Sequence, residues 1–217
     1  MFFVSYRAYC NYKCLTFRYC TVHGIAVTLP SETVKMLSHH QDLKFLTIKD
    51  KIRMNATIVV YGSSTGTCEA IAEKIARKIG CEAINVQDLT AEVVDSNQNL
   101  ILGTSTWGAG ELQDDWYDGL RVLQGTHLAG KTIALFGCGD CESYGDTFVG
   151  GIGELYNGIK DSGARFVGSV GTEGYTFDDS EAVVDGKFVG LPLDDVNEDD
   201  KTDARIDAWV AEILPNL

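Results

Sequence analysis

At 217 residues the chain can hold one large domain or two small ones. It carries 31 Asp and Glu against 18 Lys and Arg, and the imbalance is local: residues 1–53 hold eight basic and three acidic residues, a net charge of +5, which leaves −18 on residues 54–217. An acidic body of this kind repels nucleic acid and anionic membrane and favours basic partner surfaces. No apolar run reaches the roughly 18–20 residues that span a bilayer, and seven Cys, an odd number at irregular spacing, do not form a disulfide framework. A reducing cytoplasm is the expected location.

The first 53 residues show clustered aromatics but no sustained period of 2 or 3.6. Cys10, Cys14, Cys20 and His23 invite a zinc reading, yet their spacing fits no common finger and no second ligand pair follows. Residues 1–53 are therefore expected to be an unassigned extension, with the working domain spanning 54–217 and starting near Met54.

From there strands and helices alternate. An apolar β-branched run, Ile58 to Val60, is the first strand, and Ala70 to Ile79 has the pattern of an amphipathic helix. Glu82 to Val86 is a short second strand, and Leu100 to Thr104 a continuous apolar strand covered on both faces. A helix is expected around Asp114 to Leu123, a fourth strand over Lys131 to Phe136, a helix over Asp146 to Asp161, and a fifth strand from Arg165 to Val170. A last helix, roughly Lys201 to Leu214, aligns Ile206, Trp209, Val210 and Ile213. Alternation of this kind implies a parallel sheet with helices on both faces. Ligands of such sheets sit beyond the carboxyl ends of the strands, so function is expected in loops 62–68, 104–112 and 137–146.

The loop Ser63-Ser64-Thr65-Gly66-Thr67-Cys68 joins the first strand to a helix N-terminus, where backbone N–H groups and the helix dipole favour an anion. It lacks the Walker lysine and the G-x-G-x-x-G pattern, so it suits a single phosphomonoester held by neutral donors. Thr104-Ser105-Thr106-Trp107-Gly108-Ala109-Gly110 sets an indole beside a glycine-rich turn, and Cys138-Gly139-Asp140 through Tyr144 sets a phenol beside a carboxylate. Two aromatics at the mouth of such a sheet suggest a clamped planar ring. The Cys138–Cys141 pair sits in a loop rather than at a helix start, so packing is expected of it, not dithiol or metal chemistry. The acidic run Asp194 to Asp200 lacks the glycine and terminal glutamate of a calcium loop and is expected to be a solvated loop capping the last helix.

Together these segments resemble the flavodoxins over about Met54 to Leu217. The resemblance implies a doubly wound five-stranded parallel sheet of order 2-1-3-4-5, non-covalently bound FMN, and a low-potential one-electron carrier rather than an enzyme, with no catalytic or metal residues. It implies that residues 63–68 hold the phosphate, and that Trp107 and Tyr144 cover the two faces of the ring. Asp140 would face the pyrimidine edge, and the Gly108–Ala109 peptide would turn over as the ring accepts its first electron and a proton at N5. Cys68 stands where the family usually has a Thr. The segment Gly171 to Leu193 interrupts the fifth strand in the manner of the long-chain subgroup. The partners implied are redox enzymes with basic docking surfaces, met by a monomer.

Two other classes compete. A quinone or nitro-compound reductase needs a second site for a nicotinamide cofactor, and no further glycine-rich dinucleotide loop or basic phosphate site is apparent. A signalling receiver module shares the sheet order but needs an acidic cluster after the first strand and an Asp ending the third, where this chain has Ser63 and Thr104.

Overall fold

The computed structural model describes residues 19–22, 25–28 and 57–217. The chain divides into two units, Met1–Lys49 and Asp50–Leu217. In the first, β1 (Tyr19–Val22) pairs antiparallel with β2 (Ile25–Thr28). Cys10, Cys14 and His23, and the side chain of Cys20, lie outside the described residues.

The second unit begins with β3 (Thr57–Gly62), buried at every position, and continues into α1 (Thr67–Ile79) and β4 (Glu82–Asn85). A short helix, α2 (Ala91–Ser96), leads to β5 (Asn99–Trp107), whose end folds back through β6 (Glu111–Leu112). Then come α3 (Trp116–Gln124), β7 (Thr132–Cys138), α4 (Gly150–Ile159) and β8 (Arg165–Val167). Three two-residue strands follow, β9 (Val170–Gly171), β10 (Val183–Val184) and β11 (Lys187–Phe188), and the chain closes with β12 (Leu191–Leu193) and α5 (Asp199–Ile213).

β4, β3, β5 and β7 lie side by side and parallel, and the fifth position beyond β7 is shared by two strands. β8 pairs with Thr132–Ala134, whereas β12 pairs with Phe136–Cys138. This is the expected 2-1-3-4-5 order with its last strand interrupted. The chain between the halves forms a small antiparallel sheet, β10-β11-β9, fixed to the body by Phe188, which is fully buried among Phe148, Tyr175 and Phe177.

Period-2 alternation in the central strands builds two cores. Val60, Leu100, Leu102 and Leu135 face Trp116, Leu123, Ile152 and Leu155 of α3 and α4. Val59, Ile101, Ala134 and Phe136 face Ile71 and Ile75 of α1 and Ile206 and Trp209 of α5. Strands buried on both faces must be apolar throughout, which is why their runs are continuous. Gly103 is a required exception: a Cβ there would enter the ring of Phe136, its neighbour on β7.

α4 starts four residues later than the sequence pattern suggests, because Asp146–Val149 are in turns and Val149 holds a left-handed φ of 49°. A β-branched residue in that conformation is strained, and Val149, with no exposed surface, is held there by its surroundings.

Candidate functional site

The carboxyl ends of β3, β5, β7 and β12 converge on a cavity of about 250 Å3. At one end lies the turn between β3 and α1. Gly66 turns the chain with φ 93°, and its N–H donates to Ser63 Oγ at 3.1 Å. The first backbone hydrogen bond of α1 runs from Ala70 N–H to the Gly66 carbonyl, so the preceding N–H groups are the orphan donors of a helix start. Gln113, almost wholly buried, reaches Ser64 Oγ at 3.4 Å and Asp115 Oδ2 at 2.7 Å through Nε2. Gly62 is needed beneath them, since a Cβ there would stand 2.5 Å from Gln113 Oε1 and inside the Trp116 ring.

The Cys68 side chain lies in the core. Its thiol does not reach the loop; it is fully buried with Ile71, Ala72 and Ile75 on the sheet-facing side of α1. Helical spacing of three and four residues places it there. The neighbouring Cys138 side chain, together with burial, pushes its pKa well above the ordinary value. Only the backbone N–H of Cys68 remains at the helix end.

The second wall is a hairpin. β5 runs three residues past its expected end, and Thr106 and Trp107 pair antiparallel with Leu112 and Glu111. Gly108 (φ 50°) and Gly110 (φ 102°) make the turn, closed by Gly110 N–H to the Trp107 carbonyl at 3.0 Å. Trp107 is 43% exposed, and its Nε1 donates to Ser105 Oγ at 2.9 Å. Thr104 turns inward, bonding the Ser105 carbonyl and the Gln113 N–H.

The third wall is the loop after β7. Asp140 Oδ1 accepts N–H groups from Ser143 at 2.8 Å and Glu142 at 3.1 Å, and the Asn197 side-chain amide at 2.9 Å. These bonds, that of Ser143 foremost, hold its carboxyl below the usual range. Tyr144 is 56% exposed at the rim.

The acidic run after β12 also departs from expectation. Asp194 is not solvated but has no exposed surface. It accepts the N–H groups of Cys141, Val196 and Asn197 and the Asn197 amide, at 2.8 to 3.1 Å. Burial alone would raise its carboxyl, yet the Asn197 and Cys141 donors outweigh burial and lower it. The half-buried Cys141 thiol is pushed up to about 12 by burial and by the Asp194 carboxylate beside it.

Ten of the expected site residues line the cavity together: Thr65, Thr67, Ser105, Thr106, Trp107, Gly108, Cys138, Gly139, Asp140 and Tyr144. Ser63, Ser64, Gly66, Cys68, Thr104, Ala109 and Gly110 are not among the lining residues. Thr147, Phe148, Val149, Asp195 and Val196 complete the lining and were missed by the sequence reading. Asp195 and Val196 follow the end of the fifth strand, so the strand-end rule contained their signal. No Lys, Arg or His among the described residues lines the cavity. Among the described residues no group of His, Cys, Asp or Glu is arranged to hold a metal ion. The cleft suits a slender ligand with an anionic tail at the α1 N-terminus and a flat ring between the exposed aromatics of the rim.

The flavodoxin family profile matches residues 59–209. Flavodoxin 1 of Azotobacter vinelandii is 46% identical over 168 residues, covering 72% of this chain and 97% of the relative. The flavodoxin of Helicobacter pylori is 44% identical over 156 residues, covering 71% and 94%. Among solved structures, Fusobacterium nucleatum flavodoxin bound to flavin mononucleotide superposes with a TM-score of 0.69 at 33% identity, covering 74% of this chain and 98% of that one. With the sheet order, the interrupted fifth strand and the three-walled cleft in place, the chain belongs to the flavodoxin family.

Proposed function

We propose that this protein is an electron carrier that holds FMN in the cleft described above. The observation that carries the reading is that one cavity is lined both by Thr65 and Thr67 beside the α1 N-terminus and by Trp107 and Tyr144. The Thr65 and Thr67 hydroxyls and the N–H groups opening α1 receive the phosphate, while Ser63, Ser64, Gly66 and Cys68 contribute the shape and backbone of the loop. Trp107 and Tyr144 cover the ring, with Ser105, Thr106, Gly139 and Cys138 along its length and Asp140 at its polar edge. Thr104, Ala109 and Gly110 support the Trp107 hairpin.

Bound FMN supplies one-electron chemistry, and the protein sets its potential and access. Among the described residues the cavity carries the carboxylates of Asp140 and Asp195 and no cation. Added negative charge on the ring is therefore disfavoured, by on the order of 1 kcal/mol for each nearby charge in a watery surround and more where water is excluded. That makes the protein a strong reductant. The exposed rim gives a partner access to the ring edge, and the acidic body suits a basic docking surface. We assign the protein to the cytoplasm as a monomer acting off the membrane. No helix among the described residues is long and apolar enough to cross a bilayer.

The test is reconstitution. Full-length protein offered FMN and FAD together should retain FMN at one per chain, identified by mass spectrometry after release. Retention of FAD, or of neither, would overturn the assignment.

A further inference from the structure

Gln113 is not among the residues that line the cavity, yet its side chain joins two of the cavity's walls. It directly follows β6, the returning strand of the Trp107 hairpin, and is only 3% exposed. From there its amide reaches Ser64, 49 residues earlier, in the turn between β3 and α1. A buried primary amide is costly unless its donors and its acceptor are used. Here each is used.

The neighbours fix which way round the amide sits. Gln113 Oε1 accepts the Asp115 backbone N–H at 3.2 Å, and Nε2 donates to Asp115 Oδ2 at 2.7 Å. A turned-over amide would set Oε1 against a carboxylate oxygen and Nε2 against an N–H, two repulsions in place of two bonds. Nε2 is therefore the group that faces Ser64, and its second hydrogen points to Ser64 Oγ at 3.4 Å. The backbone of Gln113 is held as well. Its N–H donates to Thr104 Oγ1 at 3.4 Å, and its carbonyl accepts the Trp116 N–H at 2.9 Å.

A serine hydroxyl has one hydrogen to give and lone pairs to receive. Because Gln113 supplies an N–H, Ser64 Oγ is the acceptor in that bond and keeps its own hydrogen to give. Ser64 is exposed, so that hydrogen is available on the outer side of the loop.

We propose that Gln113 is a positioning residue for the anionic end of the ligand: its amide presents the Ser64 hydroxyl as a donor, so that the loop favours a phosphorylated flavin over one lacking the phosphate. The proposal rests on the cavity being the FMN site. Gln113 acts through Ser64 alone. A bond from a hydroxyl to a charged phosphate oxygen is stronger than one to a neutral hydroxyl, and a donor that itself accepts a hydrogen bond is strengthened further. Riboflavin, whose tail ends in a hydroxyl, gains little from the arrangement.

The experiment strips full-length protein of flavin and measures dissociation constants for FMN and riboflavin by quenching of flavin fluorescence. Gln113→Met keeps the length and the burial but has no donor. It should weaken FMN binding about fivefold, the effect of one hydrogen bond, and leave riboflavin binding within about twofold. Asp115→Ala removes the acceptor that orients the amide, at a half-buried position where folding is not at stake, and should shift the FMN preference in the same direction. Ser64→Ala should cost FMN at least as much as Gln113→Met does. Adding Gln113→Met to Ser64→Ala should change the preference no further, because two residues acting through one bond are not additive. An unchanged preference in Gln113→Met and Asp115→Ala would overturn the proposal, as would equal losses for the two flavins. So would an undiminished effect of Gln113→Met in the Ser64→Ala background. Wild-type protein that binds FMN no more tightly than riboflavin would overturn the FMN reading, and this proposal with it.

Discussion

The Asp194 carboxylate, fully buried at the end of β12, accepts the backbone N–H of Cys141 at 2.8 Å. That bond ties the loop carrying Asp140 and Tyr144 to the segment leading into α5. Asn197 strengthens the tie, because its side-chain amide reaches both Asp194 and Asp140.

Removing that carboxylate strands several buried donors. Asp194→Ala should lower unfolding stability at neutral pH by about 3 kcal/mol, read from urea unfolding. The native carboxyl lies below its ordinary value, so the unfolded chain takes up its proton first as pH falls. The stabilisation should be complete above about pH 3.9, the unfolded value, and should drain away as pH drops toward the lower native value. The gap between variant and wild type should therefore narrow below about pH 4. A gap that widens there would contradict the assignment.

Gly108 holds φ 50°, and a Cβ on it would strike the Glu111 carboxylate. A β-branched residue in that conformation costs about 1–2 kcal/mol. The resemblance has the Gly108–Ala109 peptide turn over when the ring takes its first electron, so Gly108→Val should lower the first-electron potential more than it lowers affinity for oxidised FMN. Equal loss in every redox state, by potentiometric titration, would show a general packing defect instead.

How much of this was legible in the sequence depends on whether the deciding contacts are local. The central strands announced themselves because both faces are covered, which leaves no polar position in Val59–Val60 or Leu100–Leu102. The helical period already placed Cys68 with Ile71, Ala72 and Ile75, but similarity of position to a phosphate-binding Thr obscured it. The short helix α2 was passed over although Thr90 caps it, accepting the Val93 N–H at 3.3 Å. Asp194 could not be read, since its burial is made possible by a donor 53 residues away in the chain. The same holds for Gln113, whose link to Ser64 spans 49 residues.

Encounters with a basic redox partner should be steered by charge. Glu111, Asp114 and Glu142 are exposed around the rim, whereas Asp115 is half-buried and engaged by Gln113. Neutralising the three exposed carboxylates should lower the second-order rate with a basic reductase and flatten its salt dependence, leaving the absorption spectrum unchanged. For the wild type the rate should fall as the Debye length shortens from about 30 Å at 0.01 M to about 8 Å at 0.15 M. Stopped-flow rates indifferent to salt would refute the steering.

Among the described residues the cavity lining begins at Thr65. A chain starting at Met54 should fold and bind FMN as the full chain does. An insoluble or colourless truncated protein, beside a yellow full-length one, would show that the extension supports the fold.

The central claim is one-electron transfer by bound FMN, and a spectroelectrochemical titration of the reconstituted protein tests it most directly. The account predicts two separated one-electron steps, the second at markedly lower potential than that of free FMN, because the cavity has carboxylates and no cation. A single concerted two-electron step near the potential of free flavin would contradict it.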